Sequence, residues 1–204
     1  MSSPTPLESR EDAYRDAIRA GRVRMLLVFL ACAAPVIASY ATYYFVKPQA
    51  RVNHGELINP ARPLGDPPLA QLDGRPARLS DYRGKWLLVT ADRGACAASC
   101  TDKLFKMRQL RTMQGKERER IERVWLISDD EPLSTMLMRE YDDMRMLRAR
   151  GSPLLGELPS GGDAADSIWL IDPLGNLVLR YPRDADPRKM HNDIKRLLKY
   201  SGIG

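Results

Sequence analysis

Histidine is nearly absent from this chain, which has His54 and His191 and no others among 204 residues. His54 falls in a proline-rich stretch and His191 lies one residue past the apolar stripe of a predicted helix, so both read as solvated side chains rather than ligands. Cysteine is scarce too, and one of the three, Cys32, sits inside a long apolar run where it reads as a small membrane residue. No run or patch of one charge sign marks a polyanion partner: the formal net charge is +6, but basic and acidic residues are interspersed. The run "GKERER" at 115–120 mixes signs as a solvated helix end or loop does, and a nucleic-acid partner is set aside. No internal repeat occurs. Apolar residues make up 44% of the chain, too many for a disordered protein, and the length suits one domain of ordinary size plus an extra segment.

That segment is "MLLVFLACAAPVIASYATYYFV", residues 25–46, in which 22 positions pass without a formal charge. At about 1.5 Å rise per residue it spans a hydrocarbon core of roughly 30 Å, and it reads as a transmembrane helix. A cleaved signal peptide would have a shorter apolar core nearer the N-terminus and a small-residue cleavage site; here 24 residues precede the run, and Tyr40, Tyr43 and Tyr44 form an aromatic belt at its far end. Pro35 in its middle suits a membrane helix better than a soluble one. Arg10, Arg15, Arg19, Arg22 and Arg24 before the run outweigh Lys47, Arg51 and Arg62 after it, which keeps residues 1–24 as a cytoplasmic arm and sends the rest across the membrane. In a bacterium this is a single-pass protein of the inner membrane with its C-terminal part in the oxidising periplasm.

Residues 47–68 carry five prolines and no apolar periodicity, as expected of a tether, so the folded domain is expected over 69–204. "PLAQLDGRPARLSDYRGKW" alternates around Asp73-Gly74 as a hairpin does, and "KWLLVTA" is short and apolar enough for a buried central strand. Leu104, Met107, Leu110 and Met113 mark one helix face, ended by Gly115. "RVWLIS" is the next buried strand. Asp130 and Pro132 then suit the start of a second helix, with Leu133, Leu137, Met144 and Leu147 on its apolar face. "SIWLIDPLGNLVLRYP" reads as two strands joined through Asp172–Gly175, and Asp186-Pro187 caps a last helix with Met190, Ile194, Leu197 and Leu198 facing the core. The pattern is α/β, a central sheet flanked by helices and preceded by one transmembrane helix, in the order of a thioredoxin-like fold.

Cys96 and Cys100 lie between the first core strand and the first helix of that order. A helix N-terminus, with unpaired N–H groups and a positive dipole, favours a thiolate at Cys96. Four residues on, Cys100 shares the helix face one turn away, at a Cα separation of about 6 Å that a disulfide accepts. Two soft thiolates facing one way suit Cu(I) equally well. A bare structural staple is the weaker reading, because closing so short a loop removes little unfolded-chain entropy.

With these residues in view, the soluble part resembles the Sco/SenC family, membrane-anchored thioredoxin-like proteins that assist copper delivery to cytochrome c oxidase. "LSDYRGKWLLVT" is similar to the family's opening strand region, Cys96-Ala-Ala-Ser-Cys100 has its three-residue cysteine spacing, and "SIWLIDPLGNLVLRY" is similar to its late hairpin. The resemblance runs over residues 66–200. It implies a chain anchored in the membrane by a single pass, a protein thiol partner such as a cytochrome c oxidase subunit or a copper chaperone, and copper as the metal, with Cys96 and Cys100 as redox residues and metal ligands. The chain departs from the family in having Ala97 and Thr101 where proline follows each cysteine, and Ala164 where the third copper ligand, a histidine, stands eight residues before the Asp-Pro of the late hairpin. Asp163 or Asp166 could supply oxygen in its place. Among the methionines, Met107, Met113, Met144 and Met190 fall on expected buried faces, whereas Met136, Met138 and Met146 have no assigned place. Loss of the histidine favours a thiol-disulfide oxidoreductase or assembly factor, with Cys96 attacking and Cys100 resolving, over an atypical copper chaperone; retention of both cysteines disfavours a non-catalytic scaffold.

Overall fold

The computed structural model describes residues 6–45, 53–159 and 166–203, and the chain divides into two compact units, 1–51 and 52–204. In the first, helix α1 (Pro6–Phe45) contains Pro35, and its stretch Gly21–Ala41 is long and apolar enough to cross a membrane. Phe29, Leu30 and Ile37 on it are exposed, as a lipid-facing surface requires.

The second unit is built on one eight-stranded sheet: β1 (Glu56–Pro63), β2 (Leu69–Gln71), β3 (Pro76–Ala77), β4 (Trp86–Asp92), β5 (Ile121–Ile127), β6 (Arg145–Arg148), β7 (Ser167–Ile171) and β8 (Asn176–Pro182), in the order β1-β8-β7-β4-β5-β6-β2-β3. Strands β4, β5 and β6 are parallel and β7 is antiparallel to β4. β4 and β5 are central and β5 is buried along its whole length, which is why their cores, Trp86–Val89 and Val124–Ile127, read as continuous apolar runs rather than alternating ones. Helices α2 (Ala98–Met113) and α5 (Pro187–Tyr200) cover one face, where Leu104, Met107 and Leu110 meet Met190, Ile194 and Leu198 over Leu88, Trp125 and Leu170. The other face packs Leu87, Val89, Leu126 and Trp169 against Leu79, Leu154 and Leu158, the last two from α4 (Leu154–Glu157) and the residue after it. The cap expected at Asp186 is present: its carboxylate accepts from the Arg188 N–H at 2.8 Å.

Three expectations change. Residues 56–63, read as tether, form edge strand β1 on β8, with the ladder shifted between Leu57 and Arg62 around the cis Asn59-Pro60 bond. Proline is tolerated here because an outer strand has only one neighbour to bond. The entry to β1 is fixed by Asp193 of α5, buried, which accepts from the N–H groups of His54 at 2.7 Å and Gly55 at 3.0 Å. Residues 47–52 of the expected tether lie outside the described residues. Second, the helix after β5 is only α3 (Thr135–Glu140); Met144 lies just outside β6 and Leu147 within it, because the open edge of β5 takes Arg145–Arg148 as a parallel neighbour. Third, Met113 is exposed, since the chain leaves the core at the end of α2.

Candidate functional site

β4 ends at Asp92, a loop of residues 93–97 follows, and α2 starts at Ala98. Cys96 closes this loop with φ +42°, a left-handed conformation that costs a non-glycine residue energy and turns the chain sharply into the helix. Ala97, at the cap, offers no side-chain acceptor to the first turn, so the positive end of α2 is left to whatever stands beside it. Cys96 and Cys100 form a disulfide with a Cα separation of 5.1 Å. Cys100 is wholly buried against Leu104 and the core, while Cys96 is half-buried, so Cys96 presents the sulfur open to attack. Thr101, where the Sco/SenC pattern has proline, puts its Oγ1 3.9 Å from the Cys96 Sγ.

Two groups that the sequence reading did not select hold this loop. Asp129, just past β5, accepts from the Gly94 N–H at 2.8 Å and from Arg93 Nε at 3.1 Å, and Arg93 Nη2 reaches Glu131 Oε1 at 2.5 Å. Burial pushes the Asp129 carboxyl up, but the N–H of Gly94, the Arg93 guanidinium and the N–H of Glu131 outweigh it and hold the group below the usual carboxylate range. Gly94 is required by space: a Cβ there would stand 2.5 Å from the Glu131 carbonyl oxygen. Arg148 of β6 ties the opposite side of the clamp, donating to the carbonyls of Asp129 at 3.0 Å and Glu131 at 2.8 Å.

The second group is Lys103, wholly buried on α2 three residues past Cys100. Its Nζ donates to the Ala91 carbonyl at 3.2 Å and lies 3.0 Å from Asp92 Oδ2, an ion-pair contact joining the end of β4 to the first turns of α2 beneath the cysteine loop. The signal for Asp129 was its position after the C-terminal end of a parallel strand adjacent to the one carrying the cysteines, where α/β sheets place their sites. Lys103 had no comparable signal, since a lysine on a helix is read as solvated until packing shows otherwise.

The other candidates are dispersed. Cys32 is exposed on α1. His54 is exposed, and His191 on α5 stands with Nδ1 3.0 Å from Gln114 Nε2. Ala164 and Asp163 lie outside the described residues, and Asp166 pairs with Arg183 at 3.3 Å. Among the described residues no three His, Cys, Asp or Glu side chains gather as a metal site.

A strand, a cysteine pair at a helix start and a mixed sheet covered by helices define a thioredoxin-like protein. The sequence model described as "Transmembrane-like, thioredoxin-like, C-terminal domain" matches residues 86–201, and the chain belongs to that family. No curated protein matches the sequence. Solved Sco structures share the fold: the apo Sco1 protein of Thermus thermophilus is 17% identical with a TM-score of 0.55, covering 74% of this chain and 98% of that one. Copper-bound ScoI of Bradyrhizobium japonicum is 20% identical with a TM-score of 0.50, covering 66% and 98%. The thioredoxin domain of a thiol-disulfide oxidoreductase from Bacteroides vulgatus is 15% identical with a TM-score of 0.50, covering 68% and 96%. The Sco/SenC resemblance of the sequence thus holds at the level of the fold.

Proposed function

We propose that this protein is a membrane-anchored thiol-disulfide oxidoreductase, held by α1 with its thioredoxin-like domain outside the cytoplasm, and that it supports maturation of the copper site of cytochrome c oxidase. The observation that carries the reading is the unequal exposure of one closed cysteine pair: a half-open Cys96 at a helix start and a buried Cys100 one turn behind it. In the reduced protein the Cys96 thiolate attacks a disulfide sulfur of the partner, releasing the partner's other sulfur as a thiolate. Cys100 then attacks Cys96 in the mixed disulfide; the Cys96–Cys100 bond closes and the partner leaves with two thiols, its disulfide reduced by two electrons. The helix dipole favours the Cys96 thiolate, and the Asp129 clamp holds the loop so that the two sulfurs remain within bonding range.

Copper enters this reading as cargo of the partner. The reduced pair offers two soft sulfur donors and fits Cu(I), for which Cys96 and Cys100 would be the ligands. That donor set makes an atypical Sco-like copper chaperone the second reading, and the relatives solved with copper bound support it. A redox titration of the full-length chain against glutathione, run with and without Cu(I), tests both. A pair that cycles reversibly and is unaffected by Cu(I) supports the oxidoreductase; a pair locked by stoichiometric Cu(I) puts the chaperone first; a pair that neither cycles nor takes Cu(I) leaves a scaffold and overturns both.

A further inference from the structure

Four of the nine methionines fall within residues 136–146, as Met136-x-Met138 and Met144-x-Met146. The fold brings three of them together. Met138 on α3 and Met144 and Met146 at the start of β6 line one open cavity of about 410 Å³ beside the β2–β3 hairpin. Met144 and Met146 are buried where Arg145 between them is exposed, so the two thioethers share one side of the strand. Met136 is 78% exposed and does not line the cavity.

Packing alone would be served by leucine; here three flexible thioether side chains line one cavity that solvent can reach. Asp73 and Asp142 are also lining residues, the Asp73 carboxylate being paired with Arg75 at 2.7 Å. Arg145 is the one cation among the described lining residues; its guanidinium stands 5.7 Å over the ring of Tyr82, itself a lining residue, and its charge is paired with the Glu122 carboxylate at 3.5 Å. With Asp73 and Asp142 beside the single Arg145, the lining residues carry no net positive charge to repel a small cation.

We propose that Met138, Met144 and Met146 form a thioether site for a soft monovalent cation of the Cu(I) type. Thioether sulfur selects Cu(I) over harder ions, and because a thioether carries no proton to lose, binding needs no deprotonation. The site is separate from the cysteines: Arg145 lies beside Val124 and Val124 beside Val89, three residues short of Asp92, which is about 10 Å of strand. The inference does not rest on the cysteine reading.

The test uses the full-length chain in detergent, carrying Cys32→Ser and with Cys96–Cys100 closed so that no thiolate competes. Ag(I) serves as a redox-inert probe, and the methionine methyl groups are labelled with carbon-13. The methyl resonances of Met138, Met144 and Met146 should shift together and saturate at one equivalent, with those of Met107 and Met190 unmoved. The double variant Met144→Leu/Met146→Leu should bind Ag(I) at least tenfold more weakly. No shift, shifts confined to Met113 or Met136, or undiminished binding by the double variant would overturn the proposal and leave core packing as the role of these residues. Should the double variant fail to fold, the shift pattern of the methionine-complete protein decides.

Discussion

The interior of the sheet and the cysteine loop above it are held by different forces. Leu88, Val124, Trp125, Ile168 and Leu170 are completely buried, and what holds them is the removal of apolar surface from water. The loop at 93–97 is instead tied by directional contacts, the Asp129 carboxylate to Gly94 and Arg93, and the strand end before it by Lys103 to Asp92 and the Ala91 carbonyl. These apolar side chains need volume and no charge; the loop needs specific charges and little volume. A reactive pair benefits from the second arrangement, because its geometry can be altered without unfolding the domain.

The largest expected effect is on chemistry alone. Cys96→Ser should abolish exchange with a partner disulfide, whereas Cys100→Ser should trap the mixed disulfide, read by mass spectrometry of the captured complex. Either change should cost the fold no more than about 2 kcal/mol, given the short loop. Next comes Lys103→Met, which leaves Asp92 without its buried cation and should destabilise the domain by about 3–5 kcal/mol in denaturant unfolding. Leu126→Ala probes the interior: a loss of about 2–5 kcal/mol with the exchange rate per folded molecule unchanged. If exchange fell in parallel, the two regions would not be independent.

Smaller effects belong to the clamp. Gly94→Ala drives a methyl into the Glu131 carbonyl and should cost about 1–3 kcal/mol while slowing exchange, since the loop that carries Cys96 must shift. Asp129→Asn should be milder in stability and selective in location: the Gly94 amide should exchange hydrogen faster while those of Val89 and Leu126 keep their protection. Acid should reproduce it. Because the folded state holds the Asp129 carboxyl below its ordinary range, the stabilisation is present above the unfolded value of about 3.9 and is lost as pH falls through the lower folded value. Uniform loss of protection across the sheet in that window would mean that the clamp and the interior melt as one.

Hydrophobic patterning found most of the fold. The apolar run within α1, the buried strands β4, β5 and β7, the α2 and α5 stripes and the Asp186 cap were all legible, because burial leaves a periodic record in the chain. Elements whose conformation a partner strand decides left no such record. β1 carries prolines and exposed side chains, so nothing in it announced a strand until β8 was beside it, and Met144 and Leu147 fit a helix face by spacing while the free edge of β5 drew the segment into the sheet. The cysteine pair was visible from spacing alone; its clamp was not.

By itself, then, the sequence determined the apolar helix, the α/β order and the position of Cys96 and Cys100 at the start of α2, since each is a local property of composition, period or spacing. Only the tertiary structure decided that Asp129 and Lys103 serve the cysteine loop and that Met138, Met144 and Met146 share a cavity. Those residues meet through strand register and helix packing, and a contact across the sheet leaves no periodic trace along the chain.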